Sequence, residues 1–296
     1  MDESFDPSKA GVYKGVFVAG GIIGRGPALF ELDRRWAILR RRPDIDIGYF
    51  KASQCELGSK QFSKFVANPK HLTEAEKKHL ESISLEFVSL IPQVGFVVGH
   101  GIGIDQMLFY EIVKDAKALA VLGPSPYQLT YHLAMVQCAW FMKQLEENLK
   151  MQKSRTMDAS SSRDFVSFVC DEDEEHGEFA DRAYRELKKN NPNAAQYMAT
   201  YSMANDKTCD VMQAADAVAF EIRRALHVHL GRFGGSLRKQ FNLLTDTHKM
   251  GLIQELSREQ LLNLVATHEP GEPFRLDSIM NQEFQENVQL SIPEVR

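Results

Sequence analysis

Closely spaced cysteine pairs are missing from this chain, and their absence removes two classes of function. The four cysteines, Cys55, Cys138, Cys170 and Cys209, stand far apart and never as C-x-x-C. That pattern argues against a zinc ribbon or a disulfide scaffold and for buried free thiols in a reducing compartment. Long apolar runs are missing too: no stretch approaches the roughly 18 residues of a membrane span. Met1-Asp2-Glu3-Ser4 opens acidic, without the basic segment and apolar stretch of a signal peptide, so the chain reads as cytoplasmic with no membrane partner. Positive charge is not in excess. The formal net charge is -5 and the pI about 6.0, so a nucleic-acid partner would need a local basic patch. No G-x-S-x-G elbow occurs, which weakens a serine hydrolase.

What remains is ordinary globular usage, 44% hydrophobic and 25% charged over 296 residues, enough to bury a sizeable core. Val12 to Ile23 is rich in β-branched and aromatic residues and predicts a strand. Pro27 opens a helix in which Leu29, Leu32, Trp36 and Leu39 recur at helical spacing, with Pro43 past its end. A second strand is predicted over Ile45 to Ala52. Thr73 with Glu76 makes a capping box for a helix running towards Pro92. The segment GFVVGHGIG (95–103) predicts a short strand running into glycines. Helices are predicted over about 105–122 and 126–151, then a polar linker, SRTMDASSSRD (154–164). Asp164 to Cys170 predicts a strand, 178–189 a helix, 196–203 a strand and 208–230 a helix. Beyond Gly234-Gly235 the chain reads as one or two amphipathic helices, with the last twenty residues expected to be disordered. Strands alternating with helices predict an α/β fold, a mixed or parallel sheet covered by helices on both faces. The expected organisation is one α/β domain over 1–232 and a helical tail over 233–296, partly disordered at its end.

Three places carry candidate chemistry. In CDVMQAADAVAFEIRRAL, Asp216 has Met212 and Phe220 at i±4 and Ala219 at i+3, so its carboxylate falls in the apolar stripe of a helix. A buried carboxylate needs a cation, a donor or solvent to compensate it; the alternative is a position at the stripe's edge reaching water. Asp210, in the first helical turn, is explained by the helix dipole. The acidic run Asp171 to Glu175 follows a strand directly, where α/β proteins place ligand-handling groups. Asp171 and Glu172, nearest the strand, are the candidates, and the rest reads as a solvated loop. Such carboxylates suit a hard cation, Mg2+ or Mn2+. Two glycine features carry less. AGGIIGRG has Ala19 where a dinucleotide loop has its first glycine, and GHGIG lacks the Lys and Ser/Thr of a P-loop.

Several segments together resemble the domain-of-unknown-function-3800 family, a bacterial and phage-associated group of RNase H-like fold. They are Asp2-Glu3-Ser4, Val16 to Gly21, Trp36, Lys51-Ala52-Ser53, Cys170-Asp171-Glu172 and Gln213-Ala214-Ala215-Asp216. Together they span about Asp2 to Leu230. The resemblance implies a five-stranded mixed sheet on which carboxylates from separate elements bind two metal ions for phosphodiester cleavage. Asp2, Asp171 and Asp216 would be the catalytic metal ligands, Glu3 and Glu172 their neighbours, and Lys51 a phosphate-neutralising, substrate-binding residue. In the family a strand precedes D-E-S-G, whereas here only Met1 does, and Phe5 replaces the glycine. The expected function is a divalent-metal-dependent nuclease. The alternatives are a non-catalytic binding module on the same fold, its protein partner unknown, and a nucleotide-binding protein using GHGIG.

Overall fold

The computed structural model describes residues 2–4, 15–153, 165–172, 177–232, 236–247, 250–272 and 274. In chain order the elements are β1 (Asp2–Ser4), β2 (Val16–Gly24), α1 (Gly26–Arg40), α2 (Ala52–Glu56), α3 (Glu74–Gln93), β3 (Val97–Asp105), α4 (Gln106–Ile112), α5 (Ala116–Leu122) and α6 (Pro126–Lys153). They continue with β4 (Val166–Asp171), α7 (Gly177–Asn190), α8 (Pro192–Ala195), β5 (Met198–Ala204), α9 (Asp210–His229), α10 (Lys239–Asp246), β6 (Met250–Leu256) and α11 (Arg258–Thr267). The α/β class is as expected. Among the described residues no helix is long and apolar enough to cross a membrane.

The chain divides into two compact units, both built from discontinuous stretches. One comprises Met1–Asp6, Val16–Gly103 and Ala204–Ile253; the other comprises Pro7–Gly15, Ile104–Met203 and Gln254–Arg296.

The first unit holds a sheet in the order β1-β2-β3-β6, to which it contributes the Met250–Ile253 part of β6. β1 runs antiparallel to β2, with Asp2 opposite Gly20 and Ser4 opposite Val18. Helix α9 packs against β1 and β2, and β3 accommodates it by lacking side chains. A Cβ on Gly101 would stand 2.8 Å from Ile222 Cδ1, and one on Gly103 would stand 2.1 Å from Leu226 Cδ1. The GHGIG segment is therefore strand, and these two glycines serve close helix–sheet approach. His100 is buried within it. On the far side of α9, Trp36, Phe50, Phe62 and Phe87 form an aromatic core. Phe50 lies 4.4 Å from Phe87 and edge-on to Trp36 at 5.6 Å between ring centroids. Such pairs contribute about 0.5–1.5 kcal/mol each beyond their burial.

The capping box at Thr73 and Glu76 is present in full and starts α3. The strand expected over Ile45 to Ala52 is not there. Ile45, Ile47 and Phe50 are buried, but Ile45 lies in a turn, Asp46 has φ of 40°, and the backbone bonds to local carbonyls and side chains instead of a neighbouring strand. Arg40 donates to the Ile47 and Gly48 carbonyls. Gln61 Oε1 accepts from the Gly48 and Tyr49 N–H groups. From Ala52 the chain is helical, as α2. The tail expected to be helical does provide α10 and α11, yet it places β6 between them. The polar linker at 154–164 and the last twenty residues, expected to be disordered, lie outside the described residues.

In the second unit β4 and β5 form a two-stranded parallel sheet, joined through α7 and α8 as parallel pairing demands. The long helix α6 packs against α7, α8 and β4. It is buried nearly all round from Leu129 to Met142, the pattern of a central helix. Helix α5 packs against α11.

Candidate functional site

Asp216 is buried, 5% exposed, on the face of α9 that meets the 50–52 segment. Its Oδ2 accepts the Ala52 N–H at 3.3 Å, the first amide of α2. Its Oδ1 lies 3.9 Å from the Lys51 ammonium. That ammonium also reaches Asp206 Oδ2 at 3.2 Å. The compensation that a buried carboxylate in the apolar stripe demanded is thus a cation together with a backbone donor. Lys51, expected to meet substrate, stands against two carboxylates with its side chain 30% exposed.

One turn earlier on the same face, Gln213 bonds at both ends. Its Oε1 accepts the Phe50 N–H and its Nε2 donates to the Asp206 carbonyl, each at 2.8 Å. Residues at i and i+3 share a helix face, so Gln213 and Asp216 hold alternate amides of the 50–52 segment. The two motifs singled out around Lys51 and Asp216 therefore meet side by side. Farther up, α9 is anchored to α1: Asp33 accepts the Val211 N–H at 2.9 Å, and Arg40 pairs with Asp210 at 2.9 Å. Asp210 is thus half of a buried ion pair as well as a first-turn carboxylate.

The other predicted residues are distributed as follows. Asp2 lies on β1, whose backbone register puts it opposite Gly20, and β1 packs against α9, the helix of Asp216. Asp171 is the last residue of β4 and Glu172 follows it, exposed; both belong to the second unit. Asp173 to Glu175 lie outside the described residues. Glu56, near Lys51 in sequence, is taken by Arg224 and Arg238, each at 3.0 Å. Burial pushes the Cys55 and Cys138 thiols up to about 12, so neither is a thiolate near neutrality.

Asp206 was not anticipated, although its signal was available. It lies just past the end of β5, the same strand-end position that singled out Asp171. Two carboxylates that converge on one ammonium offer the oxygen donors a hard divalent cation takes, so the donor set fits such an ion in kind. Among the described residues no group of three or more His, Cys, Asp or Glu side chains is arranged to hold a metal. Comparison with known protein families, with curated proteins and with solved structures returns no match for this chain.

Proposed function

We propose that this protein is a divalent-metal-dependent phosphodiester hydrolase, a nuclease of RNase H-like type acting in the cytoplasm. The observation that carries the reading is the convergence of Asp206 and Asp216 on Lys51, where buried carboxylate oxygens already surround a positive charge. The Ala52 N–H orients one oxygen of Asp216 and leaves lone pairs on the other for a ligand. Lys51, partly exposed at the edge of the cluster, is able to swing from the carboxylates to a phosphate. Asp2 joins as a further metal ligand on the family resemblance, and Asp171 and Glu172 are the carboxylates that the same resemblance assigns within the second unit. When bound, Mg2+ or Mn2+ supplies an activated water and stabilises the leaving oxygen. The protein's own part is to fix the carboxylates through Gln213 and Ala52 and to offset phosphate charge through Lys51.

A second reading has its own support. Lys51 and the Ala52 amide compensate Asp216 without further help, as a structural clasp in a non-catalytic binding module would. Incubating purified protein with single- and double-stranded DNA and RNA in Mg2+ or Mn2+ separates the two. The nuclease reading expects metal-dependent cleavage that disappears in Asp171→Asn combined with Asp216→Asn. Cleavage that survives both substitutions refutes it, and metal-free association with nucleic acid without turnover favours the binding module.

A further inference from the structure

The second unit encloses a cavity of about 270 Å³ between the C-terminal ends of α5 and α7, the first turns of α6 and residues Gly271, Glu272 and Phe274. Its walls are mixed. Leu122, Leu129 and Phe274 are apolar, whereas His132 and Glu186 bring ionisable groups. His132 is 8% exposed, and its Nε2 has no hydrogen-bond partner among the described residues. Its ring stands edge-on to Phe274 at 5.3 Å. A buried polar atom left unpaired costs about 1–3 kcal/mol, which a bound group able to hydrogen-bond the imidazole would recover. Burial holds the His132 pKa down to about 4, so near neutrality the ring is uncharged and has a lone pair to offer.

The charged side chains that line the cavity have one sign. Glu186 and Glu272 are both carboxylates on its wall, and Glu186 makes no ion pair among the described residues. The C-terminal residue of α7, Asn190, forms part of the wall, so the negative pole of that helix lies beside the cavity, with Lys188 and Lys189 in its last turn outside the lining. An anion is disfavoured there and a cation favoured. A dry cavity of roughly 150 Å³ takes a benzene ring, so this one has room for a ring with a short arm. We propose that this cavity is a binding site for a small organic ammonium, with its apolar body against Leu129 and Phe274 and its charged nitrogen at Glu186, within reach of the unpaired His132. The site belongs to the second unit and does not depend on the nuclease reading.

The test is calorimetric titration of the full chain with 2-phenylethylamine, its neutral analogue 2-phenylethanol and its anionic analogue hydrocinnamate. Saturable binding of the amine is expected, roughly tenfold or more tighter than the alcohol, as one partly buried ion pair would give, with the acid not binding. Glu186→Gln, at a partly exposed position that leaves folding intact, should weaken the amine to the level of the alcohol and leave the alcohol unchanged. Amine binding should persist in Asp216→Asn, which separates this site from the acidic cluster. The proposal is overturned by no saturable amine binding, by equal binding of all three compounds, or by an unchanged amine affinity in Glu186→Gln.

Discussion

Replacing Gln213 by leucine tests the link that joins α9 to the 50–52 segment. Leucine is close to glutamine in volume, so no large cavity opens, and the change isolates two hydrogen bonds. Gln213 is 1% exposed, and both of its bonds are 2.8 Å long. Without it the Phe50 N–H and the Asp206 carbonyl lose these partners in a dry environment, at about 1–3 kcal/mol each. Added apolar burial returns on the order of 1 kcal/mol, which leaves a net loss of about 3 kcal/mol. The assay is urea unfolding followed by Trp36 fluorescence in a Trp140→Phe background, since these are the two tryptophans and Trp36 sits in the core of the first unit. The midpoint should fall with the denaturant slope unchanged. Gln213→Glu should cost more, because it keeps the acceptor for Phe50 but sets a buried carboxylate against the Asp206 carbonyl. A loss below about 0.5 kcal/mol, the scale of an inert surface change, would refute the claim that Gln213 holds this segment.

Glycine and pH effects follow from the same unit. Gly20→Ala puts a Cβ 2.9 Å from the His100 carbonyl oxygen, which is backbone and does not yield easily, so a loss of about 1–3 kcal/mol is expected in the same assay. Gly26→Ala, with nothing within 4 Å of the new Cβ, should stay within about 0.5 kcal/mol of the parent or stabilise it slightly. Glu221 is 1% exposed with neither carboxylate oxygen hydrogen-bonded, and burial pushes its pKa from 4.5 up to about 7 although Arg238 Nε lies 3.3 Å away. Between those two values the folded state holds the proton more tightly than the unfolded state. Stability is therefore full below about pH 4.5 and is lost as pH rises through about 7, by on the order of 3 kcal/mol. Glu221→Gln should flatten that pH dependence, and an unchanged slope would show that the Arg238 pair keeps Glu221 ionised.

What could be read from the residues was mostly what depends on neighbours in sequence. The Thr73–Glu76 box is a local bond pair, and α9 announces itself through a stripe in which Asp216 sits where Met212 and Phe220 flank it. Both survive in the structure because local spacing alone determines them. The 45–52 segment misled because its apolar residues Ile45, Ile47 and Phe50 are buried without a strand beneath them; a strand also needs a partner strand, and here Gln61, Arg40 and Gln213 occupy the backbone groups. The glycines of β3 suggested a loop because glycine serves turns and tight packing alike, and the deciding side chains, Ile222 and Leu226, lie more than a hundred residues away. Strand β6 was hidden in a tail poor in β-branched residues. The partnership of Lys51 with Asp206 and Asp216 is likewise a long-range fact. The motifs marked Lys51 and Asp216 separately, and nothing local says that they touch.

The central claim is that the carboxylates around Lys51 take a divalent cation. Crystals soaked in Mn2+ and measured for anomalous scattering test it most directly. An anomalous peak is expected about 2.1 Å from an Asp216 carboxylate oxygen, the distance of a small hard cation, with the Lys51 ammonium displaced from its present place 3.9 Å from Oδ1. No peak at Asp216, with Lys51 still bridging Asp206 and Asp216, would contradict it and leave the cluster a structural clasp.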